Sequence, residues 1–326
     1  MTIGRRLTGF GTLRIRLLSI ALAALAIGGT VVLVGFEPDE GQPGGPRDSN
    51  EPVIGIRTFA APADVTVTDD VPYGTAPDGT SLKLDVCAPT ARDGLRPAVV
   101  SIHGGSWTRG DKSSDDWRTV CAWLASEGFV AYSVDYRLTP DDPFPAGMED
   151  ISSAVEWIRE ADNAARFGID PARIGAFGGS AGGNLAALLG TQGEGSLAEG
   201  SRVAAVAEFS GPSDLRGSSM SADGASERLQ NLAKRYVACT NLGDCAQAAA
   251  ASPVVQLDAS DPPFFIGNSE EEFVPMKQVT RFVDELDRLG IQRELVMVPG
   301  SVHSIGLLDV GMRARVAAFL HATLGS

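Results

Sequence analysis

The sequence predicts an α/β fold with a mainly parallel sheet, and three observations predict it. Strand-like and helix-like runs alternate from about Val65 to the end, with no internal repeat. A chain of 326 residues with 44% hydrophobic content has enough apolar surface for one large core or two small ones, and the alternation favours one. At its centre, Ile174 to Asn184 reads I-G-A-F-G-G-S-A-G-G-N. There an apolar strand ending at Phe177 runs almost directly into a small-residue helix containing Leu185 to Leu189.

The N-terminus is a separate object. The first 36 residues carry Arg5, Arg6, Arg14 and Arg16 and no acid, although the whole chain has a formal charge of −14. Leu17 to Phe36 is continuously apolar or small, long enough to span a bilayer as a helix. Arginines before such a run form a targeting pattern that keeps that end in the cytoplasm and sends the rest across. Ala21-Leu22-Ala23 and Ala24-Leu25-Ala26 resemble cleavage sites, but the apolar residues continue to Phe36 and favour an uncleaved anchor. The expectation is an exported chain, anchored on the extracytoplasmic side, or secreted if the segment is cleaved. Residues 37–63 are rich in Pro, Gly and charge and read as a disordered linker, with apolar content from Pro52 to Phe59 that would allow docking. Residues 64–326 are then the folded domain. Its strong negative charge excludes nucleic acid and anionic lipid as partners of that domain.

The elements follow in order. Val65 to Thr68 and Leu82 to Val86, around an Asp78-Gly79-Thr80 turn, read as an antiparallel hairpin at the sheet edge. Ala98 to Ile102 is a fully buried strand by pattern. A helix over about Asp115 to Glu127 places Trp117, Val120, Cys121 and Leu124 on one face. Phe129 to Val134 is a strand, Ile151 to Arg159 lies in a helix, and Ile174 to Phe177 is the central strand. Val203 to Phe209, Pro263 to Ile266 and Glu294 to Val298 are the remaining strands. Helices at Met276 to Leu289 and Val310 to Leu324 complete the chain. Gly211 to Asp261 is too irregular to assign. Four cysteines in an exported chain suggest disulfides. Cys239 and Cys245 flank a loop whose Asn and Gly favour reversal, so they are expected to pair; Cys87 and Cys121 read equally well as buried thiols.

The chemistry begins at Gly178-Gly179-Ser180-Ala181-Gly182, a G-x-S-x-G match. An abrupt strand-to-helix turn strains its central residue, and flanking glycines remove the Cβ atoms that would clash. The Ser180 oxygen is then exposed over a helix N-terminus, where N–H groups favour an oxyanion. The bland alternative is a Gly-rich turn with a capping serine; the strand before and the helix after favour a nucleophile. Upstream, Ile102 ends a strand in His103-Gly104-Gly105-Ser106-Trp107, a glycine loop suited to close approach and to presenting backbone N–H groups.

A serine nucleophile needs a base, and only three histidines exist. His103 belongs to the glycine loop, and His321 reads as a surface cation near a helix end. His303 follows a strand and the break Pro299-Gly300, at the sheet end where α/β active sites lie. The orienting acid is ambiguous from chemistry alone: Glu270, Glu271 and Glu272 are consecutive, and Asp214 competes.

From Pro97 to His303 the chain resembles the esterase/lipase branch of the α/β-hydrolase superfamily. It is similar to the hormone-sensitive-lipase-like and bacterial carboxylesterase or feruloyl-esterase-type groups. The resemblance is carried by H-G-G-S-W, Val134-Asp135-Tyr136-Arg137-Leu138, Phe144-Pro145-Ala146, G-G-S-A-G-G-N, and Phe273-Val274-Pro275-Met276. It implies an eight-stranded, mostly parallel sheet with helices on both faces and a small cap region. It implies a Ser180, Glu271, His303 triad, because the family's acid stands three residues before the Val of the V-P pair. It also implies an oxyanion hole from Gly104, Gly105, Ser106 and Ala181. Asp135, Arg137, Asp150 and Arg173 match the family too, as structural ion pairs and caps. The expected function is hydrolysis of a small carboxylic ester through an acyl-enzyme, without metal or organic cofactor. The alternatives are an amide or formamide hydrolase of the kynurenine-formamidase kind and a catalytically silent binding protein on the same fold.

Overall fold

The structure, a computed structural model, describes residues 55–91 and 94–325. The expected anchor and most of the linker lie outside the described residues. Among the described residues no helix is long and apolar enough to cross a membrane.

Eight strands form one sheet. They are β1 (Val65–Thr75), β2 (Ser81–Pro89), β3 (Arg96–Ile102), β4 (Val130–Val134), β5 (Ile169–Gly179), β6 (Ala205–Phe209), β7 (Phe264–Ser269) and β8 (Arg293–Val298). Their spatial order is β1-β2-β4-β3-β5-β6-β7-β8. The β1–β2 and β2–β4 pairs are antiparallel, and every later pair is parallel. This is the expected edge hairpin beside a parallel body. The interior strands read as unbroken apolar runs because helices cover both faces. Along β3, Ala98, Val100 and Ile102 enter one core and Val99 the other, following the period of two.

The helices are α1 (Asp115–Ser126), α2 (Ala146–Arg159), α3 (Ala161–Phe167), α4 (Ala181–Gly190), α5 (Gly217–Ala222), α6 (Glu227–Tyr236), α7 (Ala246–Ala250), α8 (Pro253–Gln256), α9 (Met276–Leu289) and α10 (Val310–Leu324). Helices α1 and α10 bury Trp117, Val120, Leu124, Val316 and Leu320 with Phe177, Phe209 and Phe265 of the sheet. On the opposite face, α2, α4 and α9 bury Ile151, Leu185 and Phe282 with Val100, Ala176 and Phe264. The stretch that sequence left unassigned folds into α5 to α8. This small region packs on the loop after β3: Tyr236 of α6 stacks on Trp107 with centroids 4.5 Å apart.

Both cysteine pairs are disulfides, Cys239–Cys245 and Cys87–Cys121. The first is the local pair expected from its loop. The second joins β2 to α1 across 34 residues, with Cα atoms 5.7 Å apart. Only the packing of α1 against β2 brings those two together.

The expected linker, residues 37–63 with docking allowed from Pro52 to Phe59, meets the domain at Ile56 and Phe59. Gly55–Thr58 forms a 3-10 turn, and Ile56 is fully buried beside Leu308. The Gly55 carbonyl accepts from Arg313, whose guanidinium lies 5.5 Å over the Phe59 ring. The same Arg313 Nη1 donates to Leu308 O, in the segment that follows His303. A chain beginning at residue 64 would leave an empty slot where Ile56 sits. Compared with a chain beginning at residue 50, it is expected to lose about 2–4 kcal/mol of stability, read as a lower melting temperature. Equal melting temperatures would show that the turn contributes nothing.

Candidate active site

Strand β5 ends at Gly179 and helix α4 begins at Ala181, so Ser180 alone makes the turn. Its φ of 58° and ψ of −121° lie where L-residues are strained. A Cβ at Gly182 would collide with the carbonyl oxygens of Ile102 and His103, so α4 sits against the end of β3 only because that position is glycine. The turn is pinned by Ser180 N–H donating to Phe209 O at 2.7 Å.

Ser180 Oγ lies 2.8 Å from His303 Nε2. His303 Nδ1, on the other side of the ring, meets Glu272 Oε2. The Nδ1–H donates to the carboxylate and leaves Nε2 free to accept from the serine hydroxyl. The Glu272 side chain has no solvent exposure. Its Oε1 accepts from Ser210 Oγ at 2.6 Å and from Ser269 N–H at 3.3 Å. Phe273 stands edge-on to His303 with centroids 5.9 Å apart, and Arg228 of α6 covers its ring.

The carboxylate that meets His303 is therefore one residue on from the expected Glu271. The physical reason is the pairing of β7 with β8, which continues past the strand ends. Glu270 N–H donates to Val298 O at 3.0 Å and Glu271 N–H to Gly300 O at 2.9 Å. That pairing leaves the Glu270 and Glu271 side chains exposed. One step further along the turn, the Glu272 side chain points inward to His303. Asp214, the competing candidate, is spent elsewhere: its carboxylate takes Arg216 at 2.6 Å.

Of the four expected oxyanion positions, Ala181 follows Ser180 directly and Gly104 lies against it. Ala181 is the first residue of α4, so its N–H has no partner within the helix. A Cβ built on Gly104 would lie 3.4 Å from Ser180 Cβ, so the loop backbone passes close beside Ser180 there. Gly105 has φ of 127°, and Ser106 and Trp107 both have φ of 58°, so the loop reverses sharply after Gly104. His103 organises the loop, as expected. Its Nδ1 bonds Gly104 O at 2.8 Å, and its ring stacks on Tyr136, 4.3 Å away, whose hydroxyl donates to His103 O. Burial pushes its pKa down and keeps the ring neutral. His321, expected as a surface cation, instead stacks on Phe129 and bonds Glu127 O at 2.9 Å, because α10 packs against the turn before β4.

The matching ion pairs are structural. Arg137 grips Asp150 with four hydrogen bonds from its backbone and guanidinium groups, Asp135 accepts from Lys112 N–H, and Arg173 pairs with Asp170.

One acidic group went unnoticed in the sequence. Glu208 of β6 is buried below the site and accepts from Gly211 N–H at 2.9 Å. Burial, opposed by that hydrogen bond and reinforced by the nearby charge of Glu272, pushes its pKa from 4.5 to about 8. The unfolded chain releases this proton near pH 4.5, while the folded chain keeps it to about pH 8. Stability therefore falls as pH rises across that window and levels off above it. In Glu208→Gln this decline is expected to vanish, so the variant's melting temperature should gain on wild type steadily between those two pH values. A difference that stays constant with pH would exclude a retained proton on Glu208.

The BD-FAE family model matches residues 84–286. Carboxylesterase NlhH of Mycobacterium tuberculosis is 44% identical over 101 residues, which are 31% of this chain and 30% of that protein. Esterase LipQ of the same organism is 29% identical over 262 residues, 77% of this chain and 60% of that protein. The chain thus spans less than two thirds of the length of both. Among solved structures, esterase B from Lactobacillus rhamnosis superposes with a TM-score of 0.67 at 22% identity, covering 82% of this chain and 88% of that one. The Pyrobaculum calidifontis esterase superposes with a TM-score of 0.66 at 25% identity, covering 84% and 89%. These likenesses agree with the eight-stranded architecture, and the family match takes in the serine elbow and Glu272. With that match running across more than half of its residues, the chain belongs to the BD-FAE family of α/β-hydrolases.

Proposed function

We propose that the chain is a serine hydrolase of small carboxylic esters working through an acyl-enzyme. The observation that carries this reading is one continuous line of contacts: Ser180 Oγ on His303 Nε2, and His303 Nδ1 on the buried Glu272. Ser180 Oγ attacks the ester carbonyl carbon while its proton passes to Nε2. Glu272 stabilises the resulting imidazolium. The carbonyl oxygen becomes an oxyanion facing the N–H of Ala181 and those of the Gly104–Ser106 loop. When the tetrahedral intermediate collapses, the C–O bond to the alcohol breaks and Nε2 returns its proton to the leaving oxygen. Water then repeats the sequence on the acyl-serine: Nε2 takes a proton from it, hydroxide adds to the carbonyl, and the carboxylic acid leaves as Oγ regains its proton. No step in this scheme calls for a metal or organic cofactor.

The relatives' names as carboxylesterase and esterase support the ester as substrate class. The test is a panel of aryl esters of increasing acyl length, alongside acetylated sugars and N-formylkynurenine. Turnover of esters with none of the formamide is expected. Turnover of the formamide alone would move the chain to the amide hydrolases, and turnover of nothing in the panel would count against an ester hydrolase.

We propose further that this domain lies outside the cytoplasm. Its support is the arginine-flanked apolar run Leu17 to Phe36 and two disulfides in one chain, which form in oxidising compartments. Fractionation of cells expressing the full chain checks it: activity in the membrane or culture fluid is expected, and activity confined to the cytosol would overturn it.

A further inference from the structure

We propose that Ser210 is a positioning residue that ties together the two loops carrying His303 and Glu272. The proposal rests on the serine-hydrolase reading above and adds a residue outside the triad. Three observations bear it.

The Ser210 hydroxyl is a junction. As a donor it reaches Glu272 Oε1 at 2.6 Å, and as an acceptor it takes Ser304 N–H at 2.8 Å. Glu272 lies in the turn after β7, and Ser304 directly follows His303 after β8. One oxygen, from a third strand end, therefore holds both the acid and the backbone next to the base. A hydroxyl has one proton to give and two lone pairs, so both contacts are made at once.

Ser210 is also held in a costly conformation. Its φ is 54°, in the left-handed region that favours glycine, and it is 1% exposed. Its N–H donates to Gly267 O at 3.0 Å, extending the β6–β7 ladder by one residue and locking the backbone in place. Glycine would adopt this φ without strain, but it would not supply the hydroxyl.

Finally, the alternatives for Glu272 are few. With Oε2 on His303, the second oxygen has Ser210 Oγ at 2.6 Å and only the longer Ser269 N–H at 3.3 Å. Removing the hydroxyl leaves a buried carboxylate oxygen with one weak donor and an unpaired Ser304 N–H. Glu272 is then free to rotate, and the imidazole loses its fixed orientation toward Ser180. The effect belongs on kcat, since Ser210 is buried behind the acid and touches no substrate.

The test compares Ser210→Ala with Ser210→Gly. Both remove the hydroxyl, but only glycine relieves the backbone. If the role is positioning, both variants lose about 10- to 100-fold in kcat with KM unchanged. Glycine keeps a melting temperature at or above that of alanine yet recovers no activity. The rate of Ser180 labelling by an alkyl fluorophosphonate should fall in parallel, reporting activation of the nucleophile without any ester substrate. If Ser210→Gly retains wild-type kcat and labelling rate, Ser210 merely occupies a turn and the proposal is overturned. A wild-type chain that fails to label at all would instead sink the serine-hydrolase reading on which the proposal rests. Should the alanine variant fail to fold, the glycine variant alone decides.

Discussion

Ser180→Ala is expected to lower ester hydrolysis about 10⁴-fold or more while leaving the protein folded. The size follows from the arrangement around the elbow. In the proposed mechanism Ser180 Oγ is the atom that bonds the acyl carbon, and it lies 2.8 Å from His303 Nε2. What survives is the proposed oxyanion hole, whose backbone groups the substitution leaves in place. Its residual effect sets the floor of the measured rate. Alanine also fits the site sterically, since its Cβ replaces that of serine, although position 180 remains strained at φ of 58°. Circular dichroism and thermal melting should therefore match wild type closely. A variant retaining activity within about tenfold of wild type would remove Ser180 as nucleophile.

Glu272→Gln is expected to cost about 10²- to 10⁴-fold in kcat. Glutamine keeps the shape and an acceptor oxygen, but it lacks the charge that stabilises the imidazolium. Its amide nitrogen can also face His303 and favour the wrong tautomer. The comparison variants sharpen the test, because three glutamates stand side by side. Glu270→Gln and Glu271→Gln alter exposed side chains and should stay within a few-fold of wild type. Asp214→Asn weakens an ion pair with Arg216 and belongs to stability rather than to kcat. A large loss at Glu271 with little at Glu272 would mean that the turn after β7 is arranged differently in the working protein.

These two residues mark the boundary of what the chain discloses before it folds. Ser180 was legible because everything that defines it is local: an apolar strand, glycines two residues on either side, and a helix that starts at once. His303 was legible almost by elimination, since His103 belongs to the glycine loop and His321 to the last helix. Glu272 was not, because its neighbours share its chemistry. Which of the three turns inward depends on how β7 pairs with β8, and a shift of one residue reverses the direction of a side chain. The loop after β3 falls between these cases. Its glycines announced a close approach, but their contact with Ser180 exists only because β3 and β5 are adjacent in the sheet.

By itself, then, the sequence determined the α/β class, the serine elbow, His303 as the histidine beside it, the glycine loop and the local Cys239–Cys245 pair. Each depends on residues close together in the chain, where spacing and backbone sterics decide the outcome. Tertiary structure alone decided the choice of Glu272, the burial that keeps a proton on Glu208, the junction at Ser210, the Cys87–Cys121 bridge and the docking of Ile56. Each of these depends on contacts between distant segments, whose register is set by the packing of the whole sheet and its two helical layers. No local pattern in the chain encodes that register.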